Sequence, residues 1–186
     1  MSHATDGADL ERFRHYLLML ARLHLGRQLQ GKLDASDIVQ QTLLQAHRQR
    51  DQYRGQDEAT RAAWLRKLLA GTLADALRTF GRAKRELGRE RSLDAAIADS
   101  SLRIQAWLAA EQSSPSQQAA RAEQAIRLAE ALGQLPDAQR EAVELRYCQG
   151  WCVAKIAAHM DKSVTAVAGL LKRGLKHLRD TLIEEL

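Results

Sequence analysis

Leu10, Phe13, Leu17 and Leu20 recur at the three- and four-residue intervals of one helix face, which predicts a first helix over about 9–30, interrupted by Gly31. Asp34 stands where it can cap a second helix, with Asp37 as an acidic capping partner three positions on; Ile38, Val39, Leu43 and Ala46 form that helix's apolar stripe. The stretch from Arg50 to Glu58 is polar, contains Gly55 and reads as a loop. A third helix is expected from near Thr60, burying Trp64, Leu68, Leu69, Leu73, Ala76, Leu77 and Phe80 and ending in the basic run Arg78, Arg82, Lys84 and Arg85.

The pattern then weakens. Ser100-Ser101 and Ser113-Ser114-Pro115-Ser116 are linker-like, and residues 86–121 are expected to be a semi-ordered, flexible connector. Short helical pieces at Leu93–Ile97 and Leu102–Ala110 fit within it, and Trp107 has the size to pack on something. Beyond it the pattern sharpens. A helix is expected from about Ser116 to Leu132, closed by Gly133, and Pro136 suits the first turn of the next, which reaches Cys148 and stops at Gly150. A short helix over Val153–Met160, a turn at Asp161-Lys162-Ser163 and a long helix from about Thr165 to Ile183 complete the chain. The expected fold is all-α, with two small helical domains at 9–85 and 122–186.

Composition agrees. With two prolines and eleven glycines in 186 residues, long helices can run uninterrupted, and β-branched runs that would mark strands are nearly absent. The net charge of +5 is modest, so placement matters more than size. Arg61–Arg85 holds seven basic residues against Asp75, and Lys155–Arg179 holds six against Asp161. Two separated basic stretches point to two contacts with a polyanion, against the plainer reading of two solvated helix faces. The two cysteines, Cys148 and Cys152, make no disulfide framework and fit a reducing compartment. Residues 1–9 lack the apolar core of a secretion signal and no run is long enough to span a membrane, so a cytoplasmic protein without membrane insertion is expected.

The segment after Leu135 has the spacing of a helix-turn-helix. Ile156, Ala157 and Met160 form the inner side of the first helix; Val164 and Val167 fill the turn; Leu170, Leu171, Leu175 and Leu178 continue the stripe. Ser163 or Thr165 can cap the second helix, whose exposed residues would face the major groove. An ordinary helical hairpin has the same spacing.

Two blocks narrow the choice. DASDIVQQTLLQAHRQRDQYRG, at 34–55, resembles region 2 of sigma factors of the extracytoplasmic-function group, matching at Asp34, Asp37, Val39, Gln40, Tyr53, Arg54 and Gly55. AAWLRKLLAGTLADALR, which follows, matches at Ala63, Trp64, Leu65, Asp75 and Arg78. From Leu135 the chain is similar to region 4, through Pro136, Arg140, Leu145, Arg146, Gly150, Ile156, Ala157, Ser163, Val164, Val167, Arg173, Leu178 and Arg179. The resemblance implies a factor that binds core RNA polymerase, with region 2 melting and reading the −10 promoter element and region 4 reading the −35 element. Partners would be core polymerase, promoter DNA and, as often in this family, an anti-sigma factor; no cofactor and no catalysis are implied.

Residue by residue, the resemblance assigns Asp37, Gln40 and Gln41 to polymerase. Arg66, Lys67, Gly71, Arg78, Arg82, Lys84 and Arg85 go to the −10 strand. Lys162, Ser163, Thr165, Ala166, Ala168, Gly169, Lys172, Arg173 and Lys176 go to the −35 duplex. Three places depart from the family. Gln41 replaces an acid, Gly71 replaces a common Asn, and Ala168-Gly169-Leu170 replace basic or hydroxyl residues. Base hydrogen bonds from that last turn must be few, leaving Lys172, Arg173 and Lys176 for phosphates.

Other classes fit less of the sequence. An enzyme would need a phosphate loop, a metal-binding pair or a nucleophile with its base, and none is found; Cys148, Cys152 and His159 are irregularly spaced for zinc and lack a fourth ligand. His3, His15, His24, His47 and His177 read as solvated surface. A dimeric repressor would not need the 34–55 block, and a helical adaptor would leave both basic stretches unexplained.

Overall fold

A computed structural model describes residues 9–25, 33–53, 57–79, 86–111 and 118–184. The expected features at Gly31, Arg54, Gly55, Phe80, Arg82, Lys84, Arg85 and 113–116 lie outside these residues, as does the side chain of Trp107. Among the described residues there are eight α-helices and no strand, as the apolar spacing requires. They are α1 (Arg14–Leu25), α2 (Ala35–Arg48), α3 (Glu58–Thr79), α4 (Glu86–Glu111), α5 (Gln118–Gln134), α6 (Asp137–Val143), α7 (Val153–Met160) and α8 (Val164–Glu184). A 3-10 turn at Arg50–Gln52 follows α2, and a π-helical turn at Glu144–Cys148 continues α6.

Local chemistry sets the helix starts. The Asp34 carboxylate caps α2 by accepting from the Ser36 N–H at 2.8 Å, while Asp37 stays exposed. Asp57 caps α3, accepting from the Thr60 N–H at 2.7 Å and from its hydroxyl, so α3 begins two residues before the expected Thr60. Pro136 precedes α6 rather than sitting in its first turn, with an extended backbone (φ −53°, ψ 141°).

Further expected boundaries are corrected. The first helix, expected to run from about residue 9, is broken by a turn at residues 12–13, and α1 starts at Arg14. Residues 86–111 are a single 26-residue helix, α4, rather than short pieces in a semi-ordered stretch. Ile97, Ser100, Ser101 and Ile104 are all buried, at the spacing of one helix face. Because two of those four positions are serines, an apolar count misses the stripe; the hydroxyls are satisfied by Tyr16 Oη (2.8 Å) and His24 Nε2 (3.2 Å) of α1. Gly133, expected to end a helix, lies inside α5. A β-carbon there would come within 3.0 Å of the His15 ring, so the glycine serves the close approach of α1 to α5.

The first group of helices, α1–α3, and the last, α5–α8, are bridged by α4. They share a connected apolar core, because α1 packs against α2, α3, α4, α5 and the π turn. That position explains why α1 is buried on most sides: Leu17, Met19 and Leu20 have no exposed surface, Tyr16 is also buried, and so is Phe13 just before the helix. Polar ties join the groups as well. Arg22 donates to Glu144 at 2.9 Å, and the Gln149 side-chain amide donates to the Leu23 carbonyl at 2.6 Å. Arg103 of α4 lies over the turn at Gly150, whose φ of +69° suits glycine.

Candidate nucleic-acid interface

Helices α7 and α8 form a helix-turn-helix. Asp161 ends α7 in the left-handed region (φ 53°), and the Lys162 N–H reaches back to the Ala157 carbonyl at 3.0 Å, closing the turn. Ser163, rather than Thr165, caps α8: its hydroxyl accepts from the Ala166 N–H at 3.1 Å. Ile156, Ala157, Met160, Val167, Leu171 and Leu178 bury the inner face as the spacing predicts. Val164 departs from that expectation, standing 54% exposed beside the turn. Farther along, α8 touches α6 at Gly174, where a β-carbon would meet Val143 Cγ2 at 2.9 Å. The helix thereby packs closely on α6 while its outer face stays exposed.

That outer face gathers the residues expected to meet duplex DNA. Lys162, Ser163, Thr165, Ala166, Ala168, Lys172, Arg173 and Lys176 are exposed and Gly169 is half-buried. An open groove of about 540 Å³ runs along the start of α8, lined among others by Lys162, Ser163, Thr165, Gly169 and Arg173. Among the described residues, none of Lys162, Lys172, Arg173 and Lys176 is within ion-pair distance of a carboxylate. The result is a strip of cations free to meet phosphates beside a helix N-terminus.

The first basic stretch is arranged differently. Lys67 and Arg78 lie on the exposed strip of α3, but Arg78 pairs with Asp75. Arg66 points off that strip and donates to Tyr16 Oη at 3.0 Å, so a partly buried network takes up a residue expected on a DNA strand. Gly71 is half-buried, and α3 runs through it without interruption. Trp64 is half-buried and stacks on Tyr53, ring centroids 5.0 Å apart, while Leu65 takes the fully buried position beside it.

On α2 the expected partner-facing residues Asp37, Gln40 and Gln41 are all exposed, opposite the buried Ile38, Val39 and Leu43. Leu44, 50% exposed at the next turn of the same face, was missed by the sequence reading. Its signal was an apolar residue one position off the stripe, which periodicity alone assigns to chance.

Between the two groups lies a cavity of about 300 Å³ lined by Arg22, Arg140, Glu141, Glu144, Gln149, Trp151 and His159, among others. Its charges are mutually engaged: Arg22 with Glu144, Arg140 with Asp137, and His159 with Glu141 at 3.5 Å. Burial pushes the Glu144 carboxyl above its ordinary value, with Arg22 pulling it back. Burial also pushes the Cys148 thiol up, which makes it a poor nucleophile, and Cys152 is exposed away from it. Among the described residues, no group of three or more His, Cys, Asp or Glu is placed to hold a metal, and no helix is long and apolar enough to cross a membrane. His24, expected at the surface, is half-buried against Ser100, and burial lowers its pKa.

Residues 125–178 match the family model described as sigma-70, region 4. The matched span starts within α5, runs through the helix-turn-helix and ends in α8. It supports a sigma-factor role for this part of the chain, in promoter recognition and transcription initiation. A comparison with curated proteins found no match.

Proposed function

We propose that this protein is a sigma factor of the extracytoplasmic-function group, acting in the bacterial cytoplasm without catalysing a reaction. Residues 122–186 read the −35 element through α8. Residues 9–85 bind core RNA polymerase through Asp37, Gln40, Gln41 and Leu44 on α2, and read and melt the −10 element along α3. Residues 86–121 join them. An anti-sigma factor is a candidate regulator.

The observation that carries this reading is the open face of α8, where cations unpaired among the described residues and a capped helix N-terminus lie within a span matching sigma-70 region 4. A helix presented this way can enter the major groove while Lys172 and Lys176 hold phosphates on its flank. The α2 face supports the polymerase assignment: a half-exposed leucine ringed by polar side chains is a small apolar anchor with a polar rim.

Transcription reconstituted from core polymerase, the purified protein and fragmented genomic DNA of the source organism tests the proposal. The expected result is a set of transcripts that begin at common sequences only when the protein is added. Duplex binding without any change in initiation would show a free-standing regulator instead.

A further inference from the structure

Three cations of α8 look alike in the sequence, yet one is placed differently. Arg173 borders the groove at the start of α8, whereas Lys172 and Lys176 are not among its lining residues. Neighbouring positions on a helix differ by about 100°, so Lys172 faces a different direction, and Lys176 lies nearly a turn farther from the N-terminus. Side chains on a helix lean toward its N-terminus, which carries the Arg173 head back over the preceding turn.

That turn holds Gly169. A β-carbon there would lie 3.2 Å from Arg173 Nη1, 3.7 Å from Nη2 and 3.8 Å from Cζ. The guanidinium therefore lies close over bare backbone: a β-carbon would oblige it to give by a few tenths of an ångström, and a longer side chain would compete for its place. Arg173 is exposed and, among the described residues, has no carboxylate partner, so this placement is not the by-product of an ion pair. Glycine inside a helix is otherwise unfavourable, and α8 is a continuous helix through this point.

We propose that Gly169 is the positioning residue for Arg173: its missing β-carbon lets the guanidinium lie along the first turns of α8, where it reads a guanine rather than a phosphate. The fork of an arginine matches the O6 and N7 acceptors of guanine in the major groove, and a head brought to the groove-facing end of the helix is where such a contact is made. This rests on the proposed function of α8 as a duplex-reading helix, and it reassigns one of the three residues the sequence places on phosphates.

The test is selection by the full chain from a pool of random-sequence duplexes, with melting temperatures measured in parallel. The wild type should enrich a site with a fixed guanine at one position. Arg173→Ala should lower that one preference on the order of tenfold and leave the other positions unchanged. Gly169→Leu should do the same, Gly169→Ala should have a smaller effect in the same direction, and Gly169→Leu/Arg173→Ala should be no worse than either single change. Alanine and leucine are better helix formers than glycine, so melting temperatures should not fall; should the leucine variant prove unstable, the alanine variant decides. Retention of the full guanine preference in the Gly169 variants, when Arg173→Ala removes it, overturns the positioning role and leaves the duplex-reading helix standing. So does uniform weakening by Arg173→Ala. Enrichment of no sequence by the wild type would sink the duplex reading and this proposal together.

Discussion

The two basic stretches carry nearly equal charge in the sequence, and among the described residues they differ in how much of it is left unpaired at the surface. On α8 and the turn before it, Lys162, Lys172, Arg173 and Lys176 are exposed and unpaired among the described residues. On α3, Arg61 pairs with Asp9, Arg66 is bound to Tyr16 and Arg78 pairs with Asp75, so Lys67 alone of these four is exposed and without an ion pair among the described residues. A run of Lys and Arg therefore measures what a chain has available, and the fold decides how much of it reaches a ligand. The C-terminal face is ready to meet a phosphate backbone as it stands. Among the described residues, the N-terminal face offers Lys67 as an exposed cation without an ion pair, beside an α2 surface where Leu44 stands half-exposed among polar side chains.

The strongest way to break this contrast is a matched pair of substitutions. Ala168→Glu places a carboxylate in the middle of the α8 face, and duplex binding should fall on the order of 100-fold, because like-charge juxtaposition costs several kcal/mol. Ala63→Glu does the same to the exposed strip of α3 and should leave duplex binding within about twofold, since that strip is not part of the α8 face and exposed charges away from the contact are screened by salt. Electrophoretic mobility shifts with one duplex measure both. Equal losses would mean that the two faces meet duplex DNA alike.

The α2 face sharpens the comparison from the other side. Asp37→Arg should weaken capture by core polymerase on the order of tenfold while leaving duplex binding unchanged and the protein folded, because Asp37 is exposed and the cap bond of α2 is made by Asp34. Pull-down with purified core enzyme reads the first quantity. Unchanged capture would remove the partner role from this face.

How much of this was legible in the sequence follows the same division. Where apolar residues alone set the period, as at Ile38, Val39, Leu43 and Ala46 or at Ile156, Ala157 and Met160, element and burial agree with the expectation, Val164 at the turn excepted. The Val153–Met160 helix was found to the residue. Where polar groups are buried the reading failed. Ser100 and Ser101 look like linker until Tyr16 and His24 are brought to them by packing across more than seventy positions. Arg66 looks like a DNA contact until the same tyrosine takes it up. Gly133 looked like a stop signal because the sequence does not say that His15 must fit against it. The exposure of most of the α8 residues expected to meet DNA was legible; which of the cations the fold leaves unpaired among the described residues was not, since pairing is a property of the folded surface.

A smaller effect separates the two faces at a single charge. Lys172→Ala should weaken duplex binding several-fold and lower the log–log salt slope by about one, the signature of a lost phosphate contact. Lys67→Ala should leave that slope unchanged. A salt titration of both variants with one duplex decides; a slope lowered by Lys67→Ala would place the first basic stretch on the duplex after all.

The smallest expected effect lies where the two groups meet. Glu144 is 5% exposed and accepts from Arg22 at 2.9 Å across the junction. Burial raises its carboxyl above the ordinary 4.5, outweighing the pull of Arg22 and Arg140. A carboxyl raised on folding means that the native state holds more protons than the unfolded chain, in a window opening near 4.5 and extending upward. Through that window stability is gained as pH falls and lost as it rises. Glu144→Gln keeps an oxygen for Arg22 and has no proton to take up. Every other titrating group is common to the two proteins, so their stability difference isolates Glu144 to the extent that the sites are independent. Urea melts from pH 7.5 to 4 should show the wild type improving relative to the variant as pH drops, then levelling off once the ordinary value is passed. The change should stay on the order of 1 kcal/mol, the scale of one hydrogen-bonded group. The opposite trend would mean that Arg22 outweighs burial, and that the tie between the two helical groups is a true ion pair which acid loosens.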